Sequence, residues 1–174
     1  MRRPAMKPLE PPDSMHLTAA QGWLELGNPP EANEELEQIA AELQCHPEVL
    51  RVRWHLNVQQ KKWAACLDIA NTLIKLDPLS SSGWVNWANT LYWAGRTQEA
   101  FDGLLPLIVE FPKVWAIPYN LACYCAQLGK LNEARTWLNK ALAMPADGEE
   151  RKQLQMIALA DPDLEPLRKS TPGS

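Results

Sequence analysis

Three histidines and two pairs of adjacent carboxylates are the side chains in this sequence whose types could carry metal or acid–base chemistry. His16, His46 and His55 have no cysteine or acidic partner at the spacing that metal ligands usually keep. Glu34-Glu35 and Glu149-Glu150 are charge runs, and such runs on a helix surface are usually solvated. We therefore expect no metal site and no catalytic acid–base pair.

Motifs for phosphate binding, zinc-dependent hydrolysis or a nucleophile elbow are also missing from the sequence. The group of titratable side chains that comes nearest to a catalytic arrangement is Glu48, Arg51 and His55, on successive turns of one predicted helix. We expect these residues to form a local ion pair. We expect no enzyme and no cofactor. A small-molecule binder or an enzyme that uses this surface is kept as an alternative of another class.

The four cysteines, Cys45, Cys66, Cys123 and Cys125, show neither the spacing of a zinc site nor that of a disulfide framework. Cys123 and Cys125 are two positions apart on a predicted helix, so they should point to different faces. Free cysteine usually behaves as a small buried apolar residue. We expect four reduced thiols, at least two of them in the core.

Charge and hydropathy exclude several classes of partner. The chain has 174 residues, a net charge of −4 and a pI of about 5.4. This balance argues against nucleic acid, whose binding surfaces are basic, and against docking on an anionic membrane. No stretch approaches the roughly 20 apolar residues that span a bilayer.

The segment Met1–Asp13 contains four prolines and lacks the apolar run of a secretory signal. We expect it to be an extended, disordered lead-in, and the protein to be cytoplasmic.

An internal repeat of 34 residues organises the rest of the chain. One column of equivalent positions falls where the chain must turn: Gly27, Lys61, Gly95 and Gly129. Two further columns are mostly small: Ala20, Trp54, Ala88 and Ala122, then Ala32, Cys66, Ala100 and Ala134. Apolar residues recur at helical spacing around these columns, and no alternating pattern indicates a strand. The predicted helices are 14–26, 31–44, 47–59, 62–75, 81–93, 97–110, 114–127, 131–143 and 148–160.

The period and its residues resemble the tetratricopeptide repeat. The resemblance is carried by Trp84, Trp87-Ala88, Gly95, Ala100, Leu104 and Pro112, and by Tyr119-Asn120-Leu121-Ala122, Gly129-Lys130 and Glu133-Ala134. It implies an all-α, right-handed α-solenoid of four helix pairs plus a C-terminal capping helix. The expected divisions are a lead-in at 1–13, repeats at 14–46, 47–80, 81–114 and 115–147, and a capping helix with a terminal turn at 148–169.

Trp54 stands where this family usually has a small residue. Either the second repeat tilts away from the first, or Gly22 makes room opposite the indole. In the capping helix, the apolar face that packs against the last helix pair should consist of Leu154, Ile157 and Ala158. Asp161 before Pro162 should cap a short final turn that folds back over the last pair.

The resemblance also implies that the first helix of each pair lines a concave groove. The partner-binding residues expected there are Arg51, His55, Asn86, Asn89, Tyr92, Trp93, Tyr119, Asn120 and Gln127. Amides can donate to and accept from a peptide backbone, and large rings anchor interfaces. Trp84 and Trp87 fit packing positions instead. Tyr92 and Trp93 are adjacent, so at least one of them should be exposed.

We expect a protein-interaction module, an adaptor or scaffold that binds an extended peptide or partner segment in this groove. Some proteins of this family clamp a C-terminal carboxylate, but Arg51 is the one reliably cationic residue here and Ala116 replaces a usual lysine. An internal segment is therefore the favoured ligand. The alternative within the interaction class is a small secretion-type chaperone for an unfolded client, which could form a homodimer through its first helices.

Overall fold

A computed structural model describes residues 8–170, and within them every regular element is helical. The helices are α1 (Asp13–Glu25), α2 (Pro29–Gln38), α3 (Pro47–Gln59), α4 (Trp63–Leu76), α5 (Ser81–Trp93), α6 (Thr97–Leu104), α7 (Leu107–Glu110), α8 (Ala116–Gln127), α9 (Leu131–Ala143), α10 (Gly148–Ala160) and α11 (Glu165–Lys169). Short 3-10 turns span Ala41–Leu43 and Pro162–Leu164. The all-α class predicted from the sequence is confirmed.

The turn inside each helix pair has the same backbone geometry. Gly27, Lys61, Gly95 and Gly129 have positive φ angles of 72°, 55°, 79° and 76°. After each of them, the next backbone N–H donates to a carbonyl five residues back at 2.9 Å: Asn28 to Trp23, Lys62 to Asn57, Arg96 to Leu91 and Lys130 to Cys125. This bond closes a helix C-terminus around one left-handed residue. The 34-residue period is therefore a repeat of backbone conformation as well as of sequence.

The chain forms two compact units, one up to Pro78 and one from Leu79. In the first unit, α1, α2 and α3 enclose a core of Leu17, Ala20, Leu24, Ala32, Leu36, Ile39, Val49, Val52 and Leu56. In the second unit, the small-residue columns Ala88, Ala100, Ala122 and Ala134 have no exposed surface. Small side chains at these positions let neighbouring helix axes approach closely.

The helix expected at 31–44 ends early, at Gln38. Ile39 is extended, and distant polar side chains satisfy the backbone around this end. The Asp13 carboxylate accepts the N–H of Ala40 at 2.7 Å. The Gln44 amide donates to the carbonyls of Leu36 and Ile39 at 2.9 and 2.6 Å.

The helix expected at 97–110 is divided into α6 and α7 around Pro106. Proline has no N–H, and its ring collides with the carbonyl of the fourth residue before it. The prediction of one continuous helix through Pro106 was therefore wrong.

The structure describes the two ends of the chain only in part. Residues 1–7 of the predicted lead-in, and residues 171–174, lie outside the described part of the chain. Leu9 packs against the core of the first unit, and Asp13, the last residue of the predicted lead-in, is the first residue of α1. In the capping helix α10, Leu154 and Ala158 are buried as predicted, but Ile157 is 47% exposed.

Trp54 is buried, with 3% of its surface exposed. A Cβ added at Gly22 would meet no atom within 4 Å, so Gly22 does not make room for the indole and that alternative was wrong. Cys66, Cys123 and Cys125 are buried and Cys45 is exposed, which confirms the prediction that at least two of the cysteines lie in the core. No helix of residues 8–170 has the length and apolar character needed to cross a bilayer.

The Trp87 ring of α5 packs against Gly103 of α6. A Cβ added at Gly103 would lie 2.3 and 2.6 Å from two ring atoms of Trp87. Trp87 is half-buried, and its ring fills the space that a side chain at position 103 would need.

Gly103→Ala should therefore lower the free energy of unfolding by about 1–3 kcal/mol, because the indole must leave its place. The matched control is Gly22→Ala, also within a helix but with open space around the new methyl group. It should stabilise the chain by about 0.5–1 kcal/mol through helix propensity alone. Denaturant unfolding measures both. Equal shifts of the same sign would contradict the packing of Trp87 on Gly103.

Candidate functional site

The last described residues fold back over α8 and α9 and form what we call the terminal segment, residues 161–169. Asp161 begins it as predicted, because one carboxylate oxygen accepts the N–H of Asp163 at 2.9 Å. Leu164 and Leu167 are 1% and 7% exposed. Arg135 of α9 donates to the Ser170 hydroxyl at 2.8 Å, just beyond the segment. The predicted final turn is confirmed, and it is a packed element.

One face of α8 holds this segment at three positions four residues apart. The Tyr119 hydroxyl donates to Oδ2 of Asp161 at 2.7 Å. The Cys123 thiol points to the same oxygen at 3.8 Å. The Gln127 amide donates to the backbone carbonyl of Asp163 at 2.8 Å. Neutral donors on successive turns thus bind an acidic side chain and the backbone two residues after it.

Burial and these carboxylates change the ionisation of the α8 face. Burial raises the pKa of the Tyr119 hydroxyl, and the hydrogen bond to Asp161 raises it further. Burial raises the pKa of the Cys123 thiol, to which the charges of Asp161 and Asp163 add. Burial and the neighbouring Asp163 carboxylate raise the pKa of Tyr92 as well. These donors keep their protons at neutral pH. Among residues 8–170 no ion pair involves the Asp161 carboxylate, although the Arg168 guanidinium donates to the Asp161 backbone carbonyl at 2.9 Å.

Three metal-ligating groups, from Cys123, Asp161 and Asp163, lie within 4.8 Å of one another in this part of the second unit. Because metals bind the thiolate, an ion at this place would have to displace the thiol proton of Cys123. Asp161 already accepts the Tyr119 hydroxyl. We call the contacts of Tyr119, Cys123 and Gln127 with the terminal segment the latch.

The other residues expected to bind a partner in this unit are partly engaged inside it. Asn89 accepts the Tyr124 hydroxyl at 2.7 Å, and the Tyr92 and Tyr124 rings pack 5.0 Å apart. Asn86 and Asn120 are half-buried. Trp93 is 42% exposed, which confirms that at least one of the adjacent pair Tyr92-Trp93 is exposed.

The first unit has an open groove between α1 and α3. It encloses about 570 Å³ and is lined by Gln21, Leu24, Glu25, Arg51, Val52, His55 and Gln59. It adjoins a second pocket of about 370 Å³, to which Leu9, Ser14, Leu17, Thr18 and Glu48 contribute and which shares Gln21 and Arg51. We call the two together the α1–α3 groove. Its floor is apolar and its rim polar.

The charges in this groove are arranged differently from the expectation. Arg51 is exposed and makes no ion pair with any residue of 8–170, so the predicted local pair with Glu48 is absent from the described contacts. The His55 ring packs edge-on against Trp54 with 5.0 Å between centroids, and partial desolvation lowers its pKa. The Gln59 amide donates to the Leu24 carbonyl at 2.9 Å.

The nine expected partner-binding residues are thus divided between the two units, with Arg51 and His55 in the first and the other seven in the second. Their binding role stays a prediction. The sequence analysis missed Asp161 and Asp163 as partners of these residues, although the turn signal Asp161-Pro162 pointed to an element there. It also missed the pair of His16 with Glu35, whose side chains meet at 2.8 Å between α1 and α2.

Tyr119→Phe should loosen the terminal segment, because it removes the phenol hydrogen bond to Asp161. Hydrogen–deuterium exchange of the amides of Asp163, Leu164, Glu165 and Leu167 should become faster, by about tenfold or more for a charged hydrogen bond of 1.5–3 kcal/mol. Tyr124→Phe is the matched control, since its hydroxyl binds Asn89 instead. This variant should leave the exchange of these amides as slow as in the unsubstituted protein. Equal acceleration in both variants would contradict the hydrogen bond between Tyr119 and Asp161 as the contact that holds the segment.

Alkaline pH should destabilise the protein. The pKa of each of its three tyrosines is raised in the folded state, first of all by burial, whereas unfolded tyrosine ionises near pH 10. The folded chain therefore holds more protons above pH 10, and its stability falls as the pH rises from there. Absorbance at 295 nm should show tyrosinate only as the helical circular dichroism is lost. Tyrosinate that forms near pH 10 in the folded protein would contradict the burial of these rings.

Comparison with known proteins gives a consistent fold. No family model and no curated protein sequence matches the chain. Solved structures do match. A thermophilic TPR protein of Thermus thermophilus is 19% identical with a TM-score of 0.67, covering 89% of this chain and 86% of that one. A crystal structure of MamA is 18% identical with a TM-score of 0.63, covering 82% of this chain and 81% of the other.

A further MamA structure, residues 41 to the end from Desulfovibrio magneticus RS-1, is 15% identical with a TM-score of 0.62 and covers 95% of this chain and 100% of that one. At these identities the likeness concerns the fold. It agrees with the four left-handed turns and the paired helices, and confirms the predicted class, an all-α solenoid. The chain is a protein of the tetratricopeptide-repeat fold.

Proposed function

We propose that the protein is an interaction module, an adaptor or scaffold, whose α1–α3 groove binds an extended segment of a protein partner. The observation that carries this proposal is the groove itself, about 570 Å³ with an apolar floor and a rim of amides and charges. Apolar contact provides affinity in such a site, and a few placed polar groups fix the orientation of the ligand.

The second unit supports the same reading from within the chain. There the terminal segment lies on α8, held through side chains four residues apart and through one of its own backbone carbonyls. This is how a helical repeat would hold a foreign segment. Because that face is covered in the described structure, the α1–α3 groove is the proposed partner site, and Arg51 and His55 are its proposed binding residues.

A photo-crosslinking amino acid at Gln21, exposed and at the centre of the groove, should form an adduct with one defined segment of a partner in the native host. The purified segment should then bind the full chain, and Thr18→Trp should block it by filling the groove. Thr136→Trp on α9 is the matched control, since both threonines are exposed and both bond the carbonyl four residues back.

No adduct at Gln21, or equal loss of binding with Thr136→Trp, would contradict the proposal. Adducts spread over many segments of one unfolded client would identify the chaperone alternative instead. A metabolite that binds the protein saturably, and whose binding is lost in His55→Ala, would identify the small-molecule alternative.

A further inference from the structure

We infer that the α1–α3 groove selects a partner segment by one carboxylate, which binds between Arg51 and His55, with an uncharged or basic residue two positions later. This inference rests on the proposed function and specifies its ligand. It comes from the 34-residue repeat. Residues of α3 that line the groove occupy the same repeat positions as the residues of α8 that bind the terminal segment.

The equivalence of the two sites is a matter of backbone register. Helix α3 ends at Gln59 and α8 ends at Gln127, and each is followed two residues later by the left-handed residue of its turn, Lys61 or Gly129. Counting back from these turns, Arg51 occupies the position of Tyr119. His55 likewise occupies the position of Cys123.

In the second unit these two positions hold an acid. Tyr119 and Cys123 both point to the same oxygen of Asp161, at 2.7 and 3.8 Å. The first unit has stronger donors at the same places, a permanently charged guanidinium and an imidazole. The guanidinium adds a full positive charge that the phenol of Tyr119 lacks, so its hydrogen bonds to a carboxylate also gain ionic attraction. Arg51 has no carboxylate partner among residues 8–170, so its charge is available to a ligand.

The neighbouring positions limit the ligand to one acid. In the second unit, the carboxylate of Asp163 lies near the Tyr92 hydroxyl. The position equivalent to Tyr92 in the first unit is Leu24, and Glu25 follows it on the groove wall. Glu48 lines the opposite end of the groove. A second acid would therefore lose its hydrogen-bond donor and meet a like charge, whereas a neutral or basic residue would fit.

Three synthetic peptides with blocked ends test this on the full chain, by fluorescence anisotropy. All carry the sequence of residues 159–165 with Glu165→Gln. The single-acid peptide adds Asp163→Leu, the double-acid peptide keeps Asp163, and the amide peptide has Asp163→Leu with Asp161→Asn. The single-acid peptide should bind about tenfold tighter than the amide peptide, the gain expected for one charge-assisted hydrogen bond. The double-acid peptide should bind more weakly than the single-acid one.

Arg51→Ala should remove that tenfold preference, and Arg51→Lys should restore part of it, because the charge returns without the planar fork. Arg96→Ala is the matched control, an exposed arginine outside the groove that changes the net charge equally. It should leave all three affinities within about twofold.

Equal binding of the acid and amide peptides, with Thr18→Trp abolishing both, would overturn the inference and leave the proposed function standing. Absence of binding by any peptide up to about 1 mM, together with no crosslink at Gln21, would overturn both. A dimer of the full chain that is lost in Arg51→Ala and in Asp161→Asn would show that a second copy is the occupant, and would also overturn the inference.

Discussion

One left-handed residue in the turn of each helix pair is the constraint on which the rest of the structure depends. Gly27, Lys61, Gly95 and Gly129 all have positive φ, and each is followed by a 2.9 Å hydrogen bond back across the helix end. A fixed turn fixes the direction in which the second helix leaves. Beside these turns, Ala20, Ala88 and Ala122 on the first helices and Ala32, Ala100 and Ala134 on the second are fully buried, which lets neighbouring helices approach closely. Equivalent residues consequently take the same position on their helix relative to the turn, which is what permits comparison of α3 with α8.

The two units use equivalent faces in different ways. On α8, Tyr119, Cys123 and Gln127 hold a segment of the same chain, and burial keeps the phenol and thiol protonated. On α3, the corresponding face lines an open groove with an arginine that no described carboxylate pairs. Neutral donors are sufficient for a contact within one chain, where the buried side chains of Leu164 and Leu167 also hold the segment in place. An exposed guanidinium suits a contact that forms and breaks in water.

Much of the fold could be predicted from the sequence because its signals are local. Glycine at a turn and alanine at close contacts each have a short-range physical cause, and the helices α3 and α5 begin and end at the predicted residues. The end of α2 could not be found this way. It depends on Asp13, which is 27 residues from the Ala40 amide that it accepts. The break at Pro106 was visible in the sequence and was overlooked, because the repeat pattern was followed across it.

The candidate site was predicted less well for the same reason. The predicted residues do lie on α3, α5 and α8, the first helices of their pairs. Whether each of these helix faces is open or covered depends on contacts between residues far apart in the sequence. Tyr119 meets an acid 42 residues away. Nothing in the local sequence of α8 indicates that its face is covered, or that the corresponding face of α3 is open.

The most direct measurement on the repeated turn is the unfolding free energy of Lys61→Gly beside Lys62→Gly. Lys61 has a φ of 55°, where a side chain is strained, whereas Lys62 next to it has a φ of −85°. Lys61→Gly should raise the free energy of unfolding by about 1 kcal/mol, because glycine relieves the left-handed strain. Lys62→Gly should change it by less than about 0.5 kcal/mol, because the preference for glycine at this N-cap position of α4 offsets the greater entropy of the unfolded chain. Equal losses in the two variants would show that the second turn does not share the geometry of the other three.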